Sequence, residues 1–128
     1  MSVLHQIILV SLGGGLGASS RYLMMTYLEP QLNIRFPYAL LSVNVLGSFL
    51  CGMFFVVIVS MTGMKEQLRL FLLVGFFGAF TTFATFSHDT VRLLEEGHLV
   101  LGVLNVMSNV FACLMAYWLG SLLAKQVF

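Results

Sequence analysis

Four stretches of this chain contain no Asp, Glu, Lys or Arg: residues 1–20, 36–64, 70–88 and 97–124. That spacing constrains the fold more than any motif does. A helix crossing a bilayer needs roughly 20 mostly apolar residues, because lipid offers no partner for backbone N–H and C=O groups. Each stretch is long enough or nearly so, and the third can extend past Asp89 and Arg92 if those ends reach the interface. Charged residues make up 9% of the chain, against roughly 25% in soluble domains. The expectation is an all-α integral membrane protein, one four-helix transmembrane domain over 1–128, with helices at about 3–25, 37–61, 67–94 and 98–124. Nearly all of the chain is then helix or short turn, and no soluble domain remains.

The first stretch is not expected to be a cleaved signal. It lacks a basic n-region, and Gly13, Gly14, Gly15, Gly17 and Ala18 are packing residues rather than a processing site. Gly13, Gly15 and Ala18 loosely match a dinucleotide fingerprint, but that motif needs a strand and a βαβ unit. The Gly13–Gly17 spacing suits close helix contact in lipid instead. Cys51 and Cys113 both fall within spans, where a thiol is a small apolar packer.

Positive loops normally stay cytoplasmic. With four helices, Lys65, Arg69 and Lys125 share one side, while Arg35 and Arg92, with Arg21 if it reaches that interface, lie on the other. Three against two or three favours no orientation. The balance points to dual topology, in which copies insert both ways and pair antiparallel. Four short helices hardly enclose a pathway alone, so a homo-oligomer is expected, and closed dimers are the commonest symmetry.

Polar side chains at membrane depth mark function. The second span carries Ser42, Asn44 and Ser48; the fourth carries Asn105, Ser108 and Asn109 at helical spacing. Residues 75–88 of the third combine glycines, Thr81, Thr82 and Thr85 with a phenylalanine at every third position from Phe77 to Phe86. Glycines and adjacent β-branched threonines weaken a helix, and irregular backbone at this depth is tolerated only where protein or water surrounds it. No carboxylate lies centrally in any span. Hydroxyl and amide donors without carboxylates fit a small neutral solute or a strongly hydrated anion. Phe83 and Phe86, one turn apart, could present their positive ring edges to such an anion.

These residues resemble, along nearly the full chain, the CrcB/Fluc family of small fluoride channels. The family pattern Gly-Gly-x-x-Gly-Ala-x-x-Arg-(Tyr/Trp) is matched by Gly14 with Gly13 or Gly15, then Gly17, Ala18, Arg21 and Tyr22. Its Asn-(Leu/Val)-(Ile/Leu/Val)-Gly element stands at Asn44–Gly47, and its Thr-Thr-Phe-Ser-Thr-Phe-Ser signature at Thr81–Ser87. Leu104 to Asn109 is also familial. The chain departs at Ala79, Phe80 and Ala84, where Gly, Leu and Ser are commoner, and Asp89 stands where Glu is common.

The resemblance implies an antiparallel homodimer whose third helices break near their middle. It implies a structural, untransported Na⁺ held by the backbone carbonyls of Gly78 and Thr81. It assigns Asn44, Phe83 and Phe86 to the fluoride path, with further donors from Thr82, Thr85, Asn105, Ser108 and Asn109, and Arg21 near the vestibule. The partners expected are fluoride, a second copy of the chain and the bilayer, with no nucleic acid. A passive channel of this kind needs no ionisable coupling group, and no enzyme activity is expected. The location implied is a bacterial plasma or inner membrane, multi-pass. Two rivals share the size: a dual-topology multidrug exporter and a non-transporting assembly subunit. The exporter needs a membrane-embedded Glu in the first helix, and the only acid near that helix is Glu29, beside Pro30 at its end.

Overall fold

The computed structural model describes residues 1–32 and 35–128. Helix α1 spans Val3–Gln31 and α2 spans Tyr38–Val59. The third apolar stretch forms α3 over 65–80, with α-helical turns at Lys65–Leu68, a π-helical segment at Arg69–Phe77 and a last α-helical turn at Gly78–Phe80. After two extended residues, α4 runs Phe83–Glu95, and α5 runs Leu99–Val127. The described residues contain no strand. Four segments are long and apolar enough to cross a membrane: Val3–Gln31, Tyr38–Val59, Lys65–Glu95 and Leu99–Val127. The all-α, four-span architecture expected from the uncharged stretches is the one found.

Helix α1 continues well past the expected end at 25. Nothing from Thr26 to Glu29 stops it, and Pro30 falls in the final turn, where few bonds remain to be lost. The loop expected at 26–36 includes residues 33 and 34, which lie outside the described residues.

Packing between the helices is decided by glycine. Apolar side chains gain nothing by leaving lipid for protein, so contact depends on backbones approaching closely. Gly13 and Gly17 are buried against α3, and a Cβ built on either would overlap the carbonyl oxygen of Phe71 or Phe76. Helix α2 meets α5 along a second extensive pairing. Its Gly52 lies on the carbonyl of Tyr117, and reciprocally Gly120 lies on the carbonyl of Phe49. The π-helical turn of α3 adds an aromatic cluster in which Phe77 touches Phe54 and Phe76, at centroid distances of 5.8 and 5.2 Å.

Helix α4 turns back onto α5 through a tight C-terminal cap. The N–H of His98 bonds the carbonyl of Leu93 at 2.8 Å, and that of Gly97 bonds Leu94 at 3.1 Å. Gly97 has φ +84°, which a side chain disfavours. This turn brings Asn105 opposite Thr90, a juxtaposition that matters below.

Gly120→Ala should lose about 1–3 kcal/mol of stability through the clash with Phe49, and Gly97→Ala about 1–2 kcal/mol through the left-handed backbone. Gly15→Ala, which meets open space, is the control. Thermal unfolding in detergent should lower the midpoint for the first two and leave the third at the parent value.

Candidate anion site at the helix interruption

The helical path of the third span stops at Phe80 and restarts at Phe83. Between them Thr81 (φ −87°, ψ 156°) and Thr82 (φ −148°, ψ 126°) are extended. Backbone groups freed in this way at membrane depth need protein partners, and the Thr81 N–H and both polar groups of Thr82 find them. The N–H and Oγ1 of Thr81 both donate to the carbonyl of Phe77, at 3.2 and 3.0 Å. The N–H of Thr82 donates to Oδ1 of Asn44 at 3.1 Å, and Nδ2 of Asn44 donates back to the Thr82 carbonyl at 3.4 Å. The Asn44 amide thus stands where a neighbouring strand would. Gly47, one turn further along α2, lets the methyl of Thr81 and the ring of Phe80 approach its backbone. On the other side of the interruption, Arg21 reaches from α1 to donate its Nε–H to the carbonyl of Ala79 at 3.1 Å.

Helix α5 supplies the opposite wall. Asn44 Nδ2 donates to Oδ1 of Asn109 at 3.3 Å, and Asn109 Nδ2 donates to Oδ1 and the carbonyl of Asn105 at 3.0 and 2.9 Å. Asn105 is fully buried, and its Nδ2 donates to Oγ1 of Thr90 at 2.9 Å. Among the described residues no buried side-chain nitrogen or oxygen lacks a partner.

Between these walls lies a groove of about 320 Å³, lined by Asn44, Ser48, Thr81, Thr82, Phe83, Phe86, Asn109, Val110, Cys113 and Leu114. None of these side chains carries a charge at neutral pH. The start of α4, capped by Thr82 accepting the Thr85 N–H at 3.4 Å, is part of the lining. A helix N-terminus carries partial positive charge, so this end favours an anion over a cation. The rings of Phe83 and Phe86 meet at 5.2 Å and 61°, edge against face. Phe86 is 8% exposed and belongs to the core, whereas Phe83 is 76% exposed, so the groove opens at that ring.

The structure brings together Asn44, Thr82, Phe83, Phe86 and Asn109 of the residues expected in the pathway. Asn105 stands behind the groove, holding Asn109. Thr85 and Ser108 are half-buried and outside the lining, and Arg21 lies toward α1. Gly78 and Thr81 share a second cavity of about 220 Å³ with Gly47, Ser48, Cys51, Leu73, Phe77 and Tyr117. Ser48, expected as a polar residue of the second span one turn from Asn44, lines the groove. Cys113 and Thr90 were not among the expected site residues; Cys113 lies one turn after Asn109, so helical spacing from that asparagine would have found it. Thr90 had no signal, because its partner Asn105 reaches it only through the α4–α5 turn.

Residues 8–121 match the family described as CrcB-like protein, Camphor Resistance (CrcB). The chain belongs to the CrcB family. It is the family expected from the three sequence motifs. A curated relative in Legionella pneumophila (strain Paris), named fluoride-specific ion channel FluC, is 42% identical over 118 residues, covering 92% of this chain and 88% of its own. Another of that name in Geobacter metallireducens is 39% identical over 121 residues, covering 94% and 98%. A third, in Ruminiclostridium cellulolyticum, is 39% identical over 127 residues, covering 99% and 98%. As a CrcB protein with four candidate spans, this is a multi-pass membrane protein. None of the chain's departures from the family pattern, Ala79, Phe80, Ala84 and Asp89, lines the groove. Ala79 offers its carbonyl to Arg21, and Ala84 is exposed on the first turn of α4.

Replacing Asn44 by Leu removes the amide that pairs Thr82 and leaves the Thr82 N–H and the Asn109 oxygen without their partner. Each buried group left unpaired costs about 1–3 kcal/mol. Asn44→Leu should therefore lower the thermal midpoint clearly below that of Ser42→Ala, whose hydroxyl is exposed and bonds only its own helix.

Proposed function

We propose that this chain is a fluoride-selective channel through which fluoride leaves the cytoplasm passively, lowering its toxicity. The relatives are named for fluoride conduction, and one observation in this chain carries the proposal. The Asn44 amide has its oxygen fixed by the Thr82 N–H, while its two N–H groups make bonds of 3.3 and 3.4 Å. These are longer than the ordinary N–H···O distance of about 2.9–3.0 Å. An anion entering the groove finds a donor that gives up little to turn toward it.

Fluoride is small and holds its water tightly, so a path for it must replace that water. Here the replacements are the Asn44 and Asn109 amides, the threonine hydroxyls, the N-terminal dipole of α4 and the ring edges of Phe83 and Phe86. None of the lining side chains is cationic, so no charged side chain holds the ion against release. Passive conduction needs neither a nucleophile nor a proton-coupling carboxylate, in keeping with a channel and not an enzyme.

A structural sodium ion, held and not transported, belongs to the same proposal. The residues present fit it. Because the Thr82 N–H goes to Asn44, the Gly78 carbonyl lacks the donor four residues on that a continuous helix would supply. The carbonyls of Gly78 and Thr81 are hard oxygen ligands suited to a hard cation. Bound there, the ion would supply fixed positive charge where a helix ends. The working assembly in this proposal is an antiparallel homodimer in a bacterial plasma or inner membrane. The near-even split of basic residues supports dual insertion, and a groove open at Phe83 needs a further wall before it becomes a pathway.

Fluoride efflux from liposomes holding the purified protein, followed with a fluoride electrode against a chloride control, tests the central claim. Rapid fluoride loss with negligible chloride loss is expected; fluoride retention by folded protein would sink the proposal. Asn44→Asp keeps an acceptor for Thr82 but sets negative charge in the groove, and should cut fluoride efflux by at least about tenfold. For the assembly, protease access to a C-terminal tag in sealed vesicles should reach about half of the copies. Uniform protection or uniform cleavage would rule out dual insertion.

A further inference from the structure

Five of the hydrogen bonds around the groove run head to tail in one direction. The Thr82 N–H donates to Asn44, Asn44 to Asn109, Asn109 to Asn105, Asn105 to Thr90, and the Thr90 hydroxyl to the carbonyl of Phe86 at 2.8 Å. Every amide accepts on its oxygen and donates from its nitrogen. The chain begins and ends on the backbone of one segment, the cap and first turn of α4, which also carries Phe83 and Phe86. It leaves that segment, crosses α2 and α5, and returns.

Both ends impose the same direction. A backbone N–H can only donate, so it fixes the Asn44 oxygen toward Thr82 and its nitrogen toward α5. A backbone carbonyl can only accept, so it fixes the Thr90 proton toward Phe86 and leaves the hydroxyl lone pair for Asn105. With Asn105 held in that sense, its oxygen faces the Asn109 nitrogen, and the Asn109 oxygen faces Asn44. Turning any one amide over would set donor against donor or acceptor against acceptor, in a place with little solvent contact: Asn105 is fully buried and Asn109 is 7% exposed. The hydroxyl of Thr90 is the one member that accepts and donates through a single atom.

We propose that Thr90, which does not line the groove, is a positioning residue that orders the Asn105, Asn109 and Asn44 amides so that Asn44 and Asn109 meet a passing anion in a single orientation. Its effect on permeation rests on the fluoride-channel proposal above, whereas its effect on amide order does not. Valine matches threonine in shape but neither accepts nor donates. Serine keeps both capacities, and cysteine keeps them weakly.

The test compares Thr90→Val, Thr90→Cys and Thr90→Ser with the parent. Fluoride efflux from liposomes and deuterium uptake by the 81–87 segment are measured on protein of unchanged elution volume and helix content. Thr90→Ser should conduct within about twofold of the parent and Thr90→Val about tenfold more slowly, with Thr90→Cys between them. Uptake at 81–87 should rise in the same order, slowest in the parent and Ser proteins and fastest in Val. Parental efflux and uptake in Thr90→Val would overturn the proposal, as would a Ser variant as impaired as Val, which would make the lost methyl and not the hydroxyl responsible. Should Thr90→Val fail to fold, Thr90→Cys decides: intermediate efflux and uptake support the chain, and parental values overturn it. A parent that conducts no fluoride while the uptake order holds would overturn the channel proposal and the permeation role of Thr90, leaving the amide order intact.

Discussion

One side-chain amide carries the consequences of interrupting a helix inside a membrane. Thr82 is extended within the third span, where its N–H and C=O have left the helical ladder, and Asn44 meets both from the neighbouring helix. Without that pairing, the interruption would leave buried backbone groups unsatisfied, and a continuous helix would be the more stable arrangement. The groove, the exposed start of α4 and the placement of Phe83 against Phe86 all exist because the interruption is stable. In the proposed channel Asn44 therefore has a structural task and a functional one at the same atoms. Its oxygen is committed to Thr82, while its nitrogen keeps two long bonds to trade.

Glycine holds the frame on which this rests. In lipid, helices associate through close contact, so Gly13 and Gly17 on α1, and Gly52 and Gly120 between α2 and α5, set the distances at which everything else meets. The α2–α5 contact in particular brings Asn44 within reach of Asn109. A methyl group at either glycine of that pair would push the two asparagines apart before it disturbed either of them directly. The polar chain at the centre and the small residues flanking it are thus parts of one arrangement. The first needs short distances and the second makes them possible.

In the proposed channel the groove separates anions by the character of its lining. It offers donors without a fixed charge among the lining residues, and it offers them beside apolar surface from Val110 and Leu114. A large, weakly hydrated anion would gain little from donors of this kind, and a cation would meet the positive end of α4. A small anion that needs its water replaced fits best.

The sequence by itself determined the number of spans and their class, because four uncharged stretches in a chain this short have no alternative to crossing lipid as helices. It also determined the family, since Asn44, the Thr81–Thr82 pair and the Phe83–Phe86 pair are conspicuous in segments that lipid would have filled with leucine. Helical spacing made Asn105, Ser108 and Asn109 visible as one polar face. What that face does was decided only by the tertiary structure. Asn109 reaches the groove, Asn105 stands behind it, and Ser108 takes no part in the lining, a division that depends on the rotation of α5 against α2 and α4. Arg21 was legible as a basic residue near the interface or vestibule but not as the partner of the Ala79 carbonyl, fifty-eight positions away in the chain. Thr90 was invisible for the same reason. A hydrogen bond is worth something only when its partner arrives, and the partner of Thr90 arrives through a left-handed glycine at position 97 that folds α5 back onto α4. Periodicity along a chain records which face is polar; only packing decides which polar group meets which.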